Sequence, residues 1–397
     1  MIGISKLYCG TVEPSDALRY GRKSANLPSH LLQFSEDKKP VVVWNVTRRC
    51  NLRCIHCYAR ADASPGPDEL STEEGRALID SLADFGCSVI LFSGGEPLMR
   101  DDLLELVAYA VEKGLRAVIS TNGTLITSRV AAEMKAIGLS YVGISLDGME
   151  AANDRFRGVR GAFGRAMDGI AACQEAGIKV GLRFTINRQN VSEIPAIFDL
   201  IEERRIPRIC FYHLVYAGRG SSLMSEDLSH DETRRTVDLI IDRTAELHRT
   251  GKPTEVLTVD NHADGPYLYL RMVREGSPRA KEVLELLKMN EGNNSGRGIG
   301  CVSWDGSVHA DQFWRHYSFG NVRQRPFGEI WMDLSDPLMR KLKDKKRYVK
   351  GRCYTCRWLD ICGGNFRVRA EAATGDLWAP DPACYLTNDE IKREDDK

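Results

Sequence analysis

Between Pro40 and about residue 214 the chain alternates short β-branched and aromatic runs with longer stretches whose apolar positions recur every three or four residues. Residues 41–46, 88–92, 116–120, 141–146, 179–185 and 208–214 read as strands, and helices are predicted to begin near Thr72, Asp102, Ser128, Ala162 and Ser192. Ser71-Thr72-Glu73-Glu74 has capping-box spacing, which marks the first helix start. Six such units predict the α/β class: a parallel sheet curled into a partial (βα)6 TIM-type barrel. Sheets of this kind gather ligands at the C-terminal ends of their strands. Four polar motifs fall at successive ends: residues 50–57, Gly94-Gly95-Glu96-Pro97, Thr121-Asn122-Gly123 and Ser145-Leu146-Asp147-Gly148. Each alone reads as a turn, but four in succession point to a site.

From 221 to 298 the pattern turns helical and charged, with a polar, loop-like interruption at Leu257-Thr258-Val259-Asp260-Asn261-His262-Ala263-Asp264-Gly265. Residues 293–300 read as a linker. The expected divisions are an N-terminal segment 1–39, the barrel 40–220, a helical connecting region 221–298 and a small cysteine-bearing domain 299–397.

Composition changes little in this picture. The 397 residues are 43% hydrophobic and 28% charged, and Lys+Arg 55 balances Asp+Glu 55, so no global field favours nucleic acid. No run approaches the roughly 18–20 apolar residues of a membrane span, and the start lacks a signal-peptide core, so a cytoplasmic protein with no membrane partner is expected. Twelve cysteines in such a chain read as metal ligands before disulfides.

The chemistry rests on those cysteines. Cys50-Asn51-Leu52-Arg53-Cys54-Ile55-His56-Cys57 offers three thiolates to a 4Fe-4S cube and leaves its fourth iron open, whereas a structural zinc site wants tetrahedral closure. The run resembles the signature of the radical S-adenosylmethionine (SAM) family. That resemblance implies a cluster whose open iron chelates SAM, with His56 where the family has an aromatic residue beside the adenine. It also implies that Gly94, Gly95 and Glu96 meet the SAM amino group, that Ser145 and Asp147 contact the ribose, and that Asn122 is a neighbour. A glycine pair would let the chain pass close to a ligand. Arg157 is a candidate for the SAM carboxylate, or equally a solvated surface arginine.

Cys353, Cys356, Cys362 and Cys384 can close a second 4Fe-4S cube or a zinc site, and the cysteines alone do not choose. Their surroundings, Gly300-Cys301, Trp304-Asp305-Gly306, Gly320-Asn321-Val322 and the stretch 327–331, resemble the SPASM domain that follows many radical SAM barrels. The chain departs from the full SPASM pattern near Asp311 and at Phe366, where cysteines are expected. One auxiliary cluster is therefore implied instead of two, with Cys301 left as an orphan, an alternative ligand or a buried thiol.

The segments 4–10, 27–34, 40–45 and 257–265, with the reduced cysteine set, resemble the radical SAM enzymes of alternative haem biosynthesis over essentially the whole chain. Relatives in haem d1 formation share much of the pattern. The resemblance implies a carboxylate-rich iron tetrapyrrole that loses two acetate side chains, and a reductant such as flavodoxin or ferredoxin. Arg19, Arg22, Lys23, Arg219, Arg315 and Arg323 are available to its carboxylates. His262, His309 and His316 are candidate iron ligands, His262 preferred because Asp260, Asn261 and Asp264 share its loop. A SPASM peptide-modifying enzyme and a non-catalytic iron-sulfur or zinc scaffold are the competing readings.

Overall fold

The structure, a computed structural model, describes residues 1–11 and 39–392. Segment 27–34 and the candidates Arg19, Arg22 and Lys23 lie outside them. Ten strands form one sheet: β1 Ile2–Gly3, β2 Val41–Thr47, β3 Val89–Gly94, β4 Arg116–Thr121, β5 Tyr141–Ser145, β6 Val180–Ile186, β7 Arg208–His213, β8 Glu255–Val259, β9 Ile299–Val302 and β10 Val308–His309. Their order is β1-β8-β7-β6-β5-β4-β3-β2-β9-β10. Strands β2 to β8 pair in parallel with their sequence neighbours. The six expected strands are all present, and most of their residues are buried, as befits strands covered on both faces.

Helices Thr72–Phe85, Leu103–Glu112, Ser128–Ala136, Ala162–Glu175 and Ile194–Arg204 begin within two residues of their predicted starts. The capping box is formed: Ser71 accepts the Glu74 amide while Glu74 reaches back to the Ser71 amide. Helix Glu150–Arg157 escaped the periodicity argument. Its eight residues bury only Ala152, Asn153, Phe156 and Arg157, too short and too polar a stripe to register.

Two features cross the expected divisions. Strand β8 lies within 221–298, and all five of its residues are buried, so the stretch read as loop-like begins inside the sheet. Strand β9, first element of the small domain, pairs in parallel with β2, Cys301 opposite Val43. The sheet therefore runs through the boundary near 298. The two-residue outer strands β1 and β10 pair antiparallel with β8 and β9, which leaves the barrel open.

The small domain is pinned to the barrel mouth by buried polar groups. Arg369 makes a bidentate pair with Asp381, Nε to Oδ1 2.8 Å and Nη2 to Oδ2 2.8 Å, and also donates to the carbonyls of Leu214 and Asp260. A planar fork reaches a carboxylate and two carbonyls at once, which a lysine could not.

Candidate functional site

The strand ends of the barrel and the cysteine loop enclose an open cavity with about 1070 Å³ of empty space, counting its mouth. Cys50, Cys54 and Cys57 line it together with Gly94, Gly95, Asn122, Ser145 and Arg157.

The loop is held by its own backbone and by arginines. Cys50 N donates to Asp62 O at 2.6 Å, while Arg53 N and Ile55 N donate to Arg157 O and Phe156 O, both at 3.0 Å. The C-terminal end of helix Glu150–Arg157 thus supports the loop. Arg219 donates to Cys54 O (2.7 Å) and Ala61 O (2.8 Å), and Arg315 to Ala59 O (3.0 Å). These two expected substrate cations are occupied as braces. Arg323 pairs with Glu74 on the surface, away from the cavity.

Arg157 is buried, not a solvated arginine. It forms an ion pair with Asp147 and points Nη1 at Cys54 Sγ, 3.6 Å away. Asp147 is fully buried beneath Arg157, accepts the Thr185 amide at 2.7 Å and does not line the cavity. Ser145 does face the cavity. His56 stacks on Phe156 with ring centroids 4.5 Å apart, and burial with the nearby Arg157 and Arg219 charges lowers its pKa well below the usual imidazole range.

The glycine pair has a different neighbour from the one expected. A Cβ on Gly95 would sit 2.1 Å from Arg49 O and one on Gly94 2.5 Å from Thr47 O, so both yield space to the cysteine loop's own backbone. Glu96 is fully buried and outside the cavity wall. Its carboxylate accepts Thr121 Oγ1 (2.6 Å), Asn122 N (2.8 Å) and Leu98 N (3.1 Å). Glu96 shapes the Asn122 turn instead of facing a ligand through its acid. Asn122 Nδ2 is bonded to Asn51 Oδ1 at 2.8 Å.

Several wall residues were not singled out from sequence. Arg183, Thr185, Tyr212, His213 and Phe313 line the cavity. Register places Arg183 opposite Ser145 and Cys210, and His213 opposite Ile186, three residues nearer the strand ends. The guanidinium of Arg183 donates to Ser120 Oγ at 2.7 Å and has no carboxylate partner among the described residues. A signal was present, since an arginine and a histidine in otherwise apolar strands are costly unless partnered. Asp260 also lines the cavity. It sits at φ +66°, its Oδ2 has no hydrogen-bond partner, and burial pushes its carboxyl up to about 7.

The three histidines named from sequence do not face the cavity. His262 is buried in the wall of neither cavity and gives its amide to Asn365 Oδ1 at 2.7 Å. His309 is tied to Ser303 Oγ and Tyr317 O, and His316 is exposed beside Glu371. The polar loop that recommended His262 brings Asp260 and not His262 to the cavity wall, a choice that sequence spacing does not encode.

A second, small cavity is lined by Cys353, Cys356, Cys362 and Cys384. At the positions where further cysteines were expected, Asp311 is buried and closes a turn onto Phe313 N and Trp314 N. Phe366 stacks edge-on to Phe313 (5.6 Å), which meets Tyr58 at 5.3 Å. Aromatic packing fills this region. Cys301 is a buried thiol that accepts Asn45 Nδ2 at 3.3 Å.

Both cysteine groups suit iron-sulfur clusters. Burial pushes the thiols of Cys50, Cys362 and Cys384 up to about 12 and that of Cys356 up to about 11, and it raises Cys54 and Cys353 too. Such thiols ionise only against bound cations, which iron supplies. The first cavity carries the three thiols of Cys50, Cys54 and Cys57 and the second carries four, the donor sets of an open cube and of a closed one.

A parallel partial barrel with a three-cysteine mouth, joined to a four-cysteine domain, is the architecture of radical SAM enzymes with an auxiliary cluster. Residues 44–201 match the Radical SAM superfamily and residues 295–357 the SPASM iron-sulfur cluster-binding domain, and the chain belongs to the radical SAM family. It is 70% identical over 394 residues to Fe-coproporphyrin III synthase of Methanosarcina barkeri, covering 98% of this chain and 99% of that one. It is 44% identical over 353 residues to pre-heme d1 synthase of Dinoroseobacter shibae, covering 88% and 87%. The structure of Streptococcus suis SuiB bound to S-adenosylmethionine shares the fold, with TM-score 0.69 at 17% identity, over 90% of this chain and 81% of that one. The protein is a radical SAM enzyme that uses SAM and 4Fe-4S clusters, one of them auxiliary. No described helix is long and apolar enough to cross a membrane.

Proposed function

We propose that this enzyme removes the two acetate side chains of didecarboxysiroheme to give Fe-coproporphyrin III. The observation that carries the reading is the 70% identity, end to end, to an Fe-coproporphyrin III synthase. Cys50, Cys54 and Cys57 hold the SAM-binding cluster, and Cys353, Cys356, Cys362 and Cys384 the auxiliary one. When bound, SAM and the reduced cluster supply a 5'-deoxyadenosyl radical that takes a hydrogen atom from the substrate.

The chain's own residues orient and shield that event. Gly94, Gly95, Asn122, Ser145 and Arg157 surround the space beside the first cluster. Arg183 offers a half-buried cation to a carboxylate, and Phe313, Leu214 and Val215 give the macrocycle an apolar wall that excludes water. Asp260 holds or releases a proton near neutrality at the same wall. A flavodoxin or ferredoxin is the expected reductant. A cytoplasmic setting suits twelve cysteines that form no disulfide.

Anaerobic incubation with SAM, dithionite and didecarboxysiroheme, followed by mass spectrometry, tests the reading. Loss of two acetates, with one 5'-deoxyadenosine formed for each, is expected. Loss of propionates or simple decarboxylation would instead favour the chemistry of the haem d1 relatives.

A further inference from the structure

The end of β7 carries a buried dyad that no part of the reading above employs. His213 Nε2 lies 2.9 Å from Asp264 Oδ2, and the other oxygen of Asp264 accepts the Tyr385 hydroxyl at 2.7 Å. Asp264 is fully buried at the start of helix Asp264–Arg274, and Tyr385 belongs to the small domain, so both halves of the molecule fix this carboxylate. Burial works against its charge, yet His213, Thr258 and Tyr385 hold its carboxyl below the usual carboxylate range.

In the neutral ring, an ionised Asp264 at Nε2 favours the tautomer with the proton on Nε2 and the lone pair on Nδ1. Nδ1 has no hydrogen-bond partner among the described residues and is not sealed from solvent, while His213 is part of the cavity wall. A carboxylate on one nitrogen orients the ring and makes the other nitrogen more basic, which makes an imidazole presented to a cavity a good metal ligand. The neighbouring wall, Leu214, Val215 and Phe313, is apolar, as a macrocycle face requires.

We infer that His213 Nδ1 is the axial ligand to the iron of the tetrapyrrole substrate, with Asp264 and Tyr385 as positioning residues. This rests on the substrate proposed above. Ligation would fix the macrocycle's height over the cavity floor and choose which side chain faces the radical. It gives His213 the role that the sequence suggested for His262.

The test is binding without turnover. Cluster-loaded enzyme is titrated anaerobically with didecarboxysiroheme and with the same macrocycle lacking iron, read by difference absorption and by electron paramagnetic resonance of the ferric form. Wild type is expected to prefer the iron form about tenfold or more, with a nitrogen-ligated signal. His213→Ala should bind both forms alike and regain the signal with added imidazole, and Tyr385→Phe should keep the ligand but shift its signal. An unchanged signal in His213→Ala overturns the inference, as does equal wild-type affinity for the two forms; a changed pH profile with unchanged signal assigns His213 to proton transfer and overturns it too. Should His213→Ala fail to cleave SAM, and so fail as a folded control, His213→Gln and the wild-type preference for iron decide. If wild type binds neither macrocycle, the substrate reading itself falls.

Discussion

The carboxylate of Glu96 accepts the backbone N–H of Asn122 at 2.8 Å, tying the turn after β4 to the motif after β3. The same carboxylate takes Thr121 Oγ1 and Leu98 N, so three donors converge on one buried acid. Glu96→Gln turns an acceptor into a donor against one of them. A loss of about 1–3 kcal/mol in unfolding free energy is expected, with weaker SAM binding, since the Asn122 turn loosens. Denaturation and anaerobic equilibrium dialysis measure the two effects; unchanged SAM affinity would mean that the turn does not shape the nucleotide site.

Gly95 tests whether the glycine motif serves the cysteine loop. A Cβ there meets backbone, Arg49 O at 2.1 Å and Arg48 O at 2.6 Å, which cannot rotate aside. Gly95→Ala should displace the loop and cost the first cluster while sparing the second. Iron per chain is expected to fall by about half, and SAM cleavage to disappear.

Asp260 gives a pH signature with a definite sign. Burial raises its carboxyl to about 7, so between about pH 4 and 7 the folded chain holds a proton that the unfolded chain has released. That contribution is complete at low pH and is lost as pH rises through 7. Wild type should therefore lose about 1 kcal/mol relative to Asp260→Asn between pH 6 and 7.5. Paired urea unfolding curves read the difference, and a parallel pH response of the two proteins would refute it.

The two clusters are separable. Cys353→Ala combined with Cys384→Ala removes half of the donor set in the second cavity and leaves the first intact. Iron should fall by about half, 5'-deoxyadenosine should still form in a single turnover, and product should be absent. Product at the wild-type level would deny the auxiliary cluster a part in the reaction.

The strand and helix pattern from 40 to 214, the capping box and both cysteine groups were legible in the sequence because each depends on local spacing: the period of a strand or helix, a reciprocal cap, thiols within reach along a few residues. Strand β8 was not, because a single five-residue run flanked by charged helices carries no alternation, and its place is set by pairing with β7. Asn122, Ser145, Arg157 and Asp260, named from sequence, line the cavity, whereas which other charges are drawn away from it was beyond the sequence. Arg219 and Arg315 are drawn off by loop carbonyls, Glu96 by the Asn122 turn and Asp147 by Arg157. His262 is buried outside the cavity wall, while His213 lines it and meets Asp264, 51 residues further along the chain. The sequence by itself determined the barrel and the sulfur chemistry; the tertiary structure alone decided which charges remain free for a substrate, because buried polar groups take whichever partner the packing brings within about 3 Å.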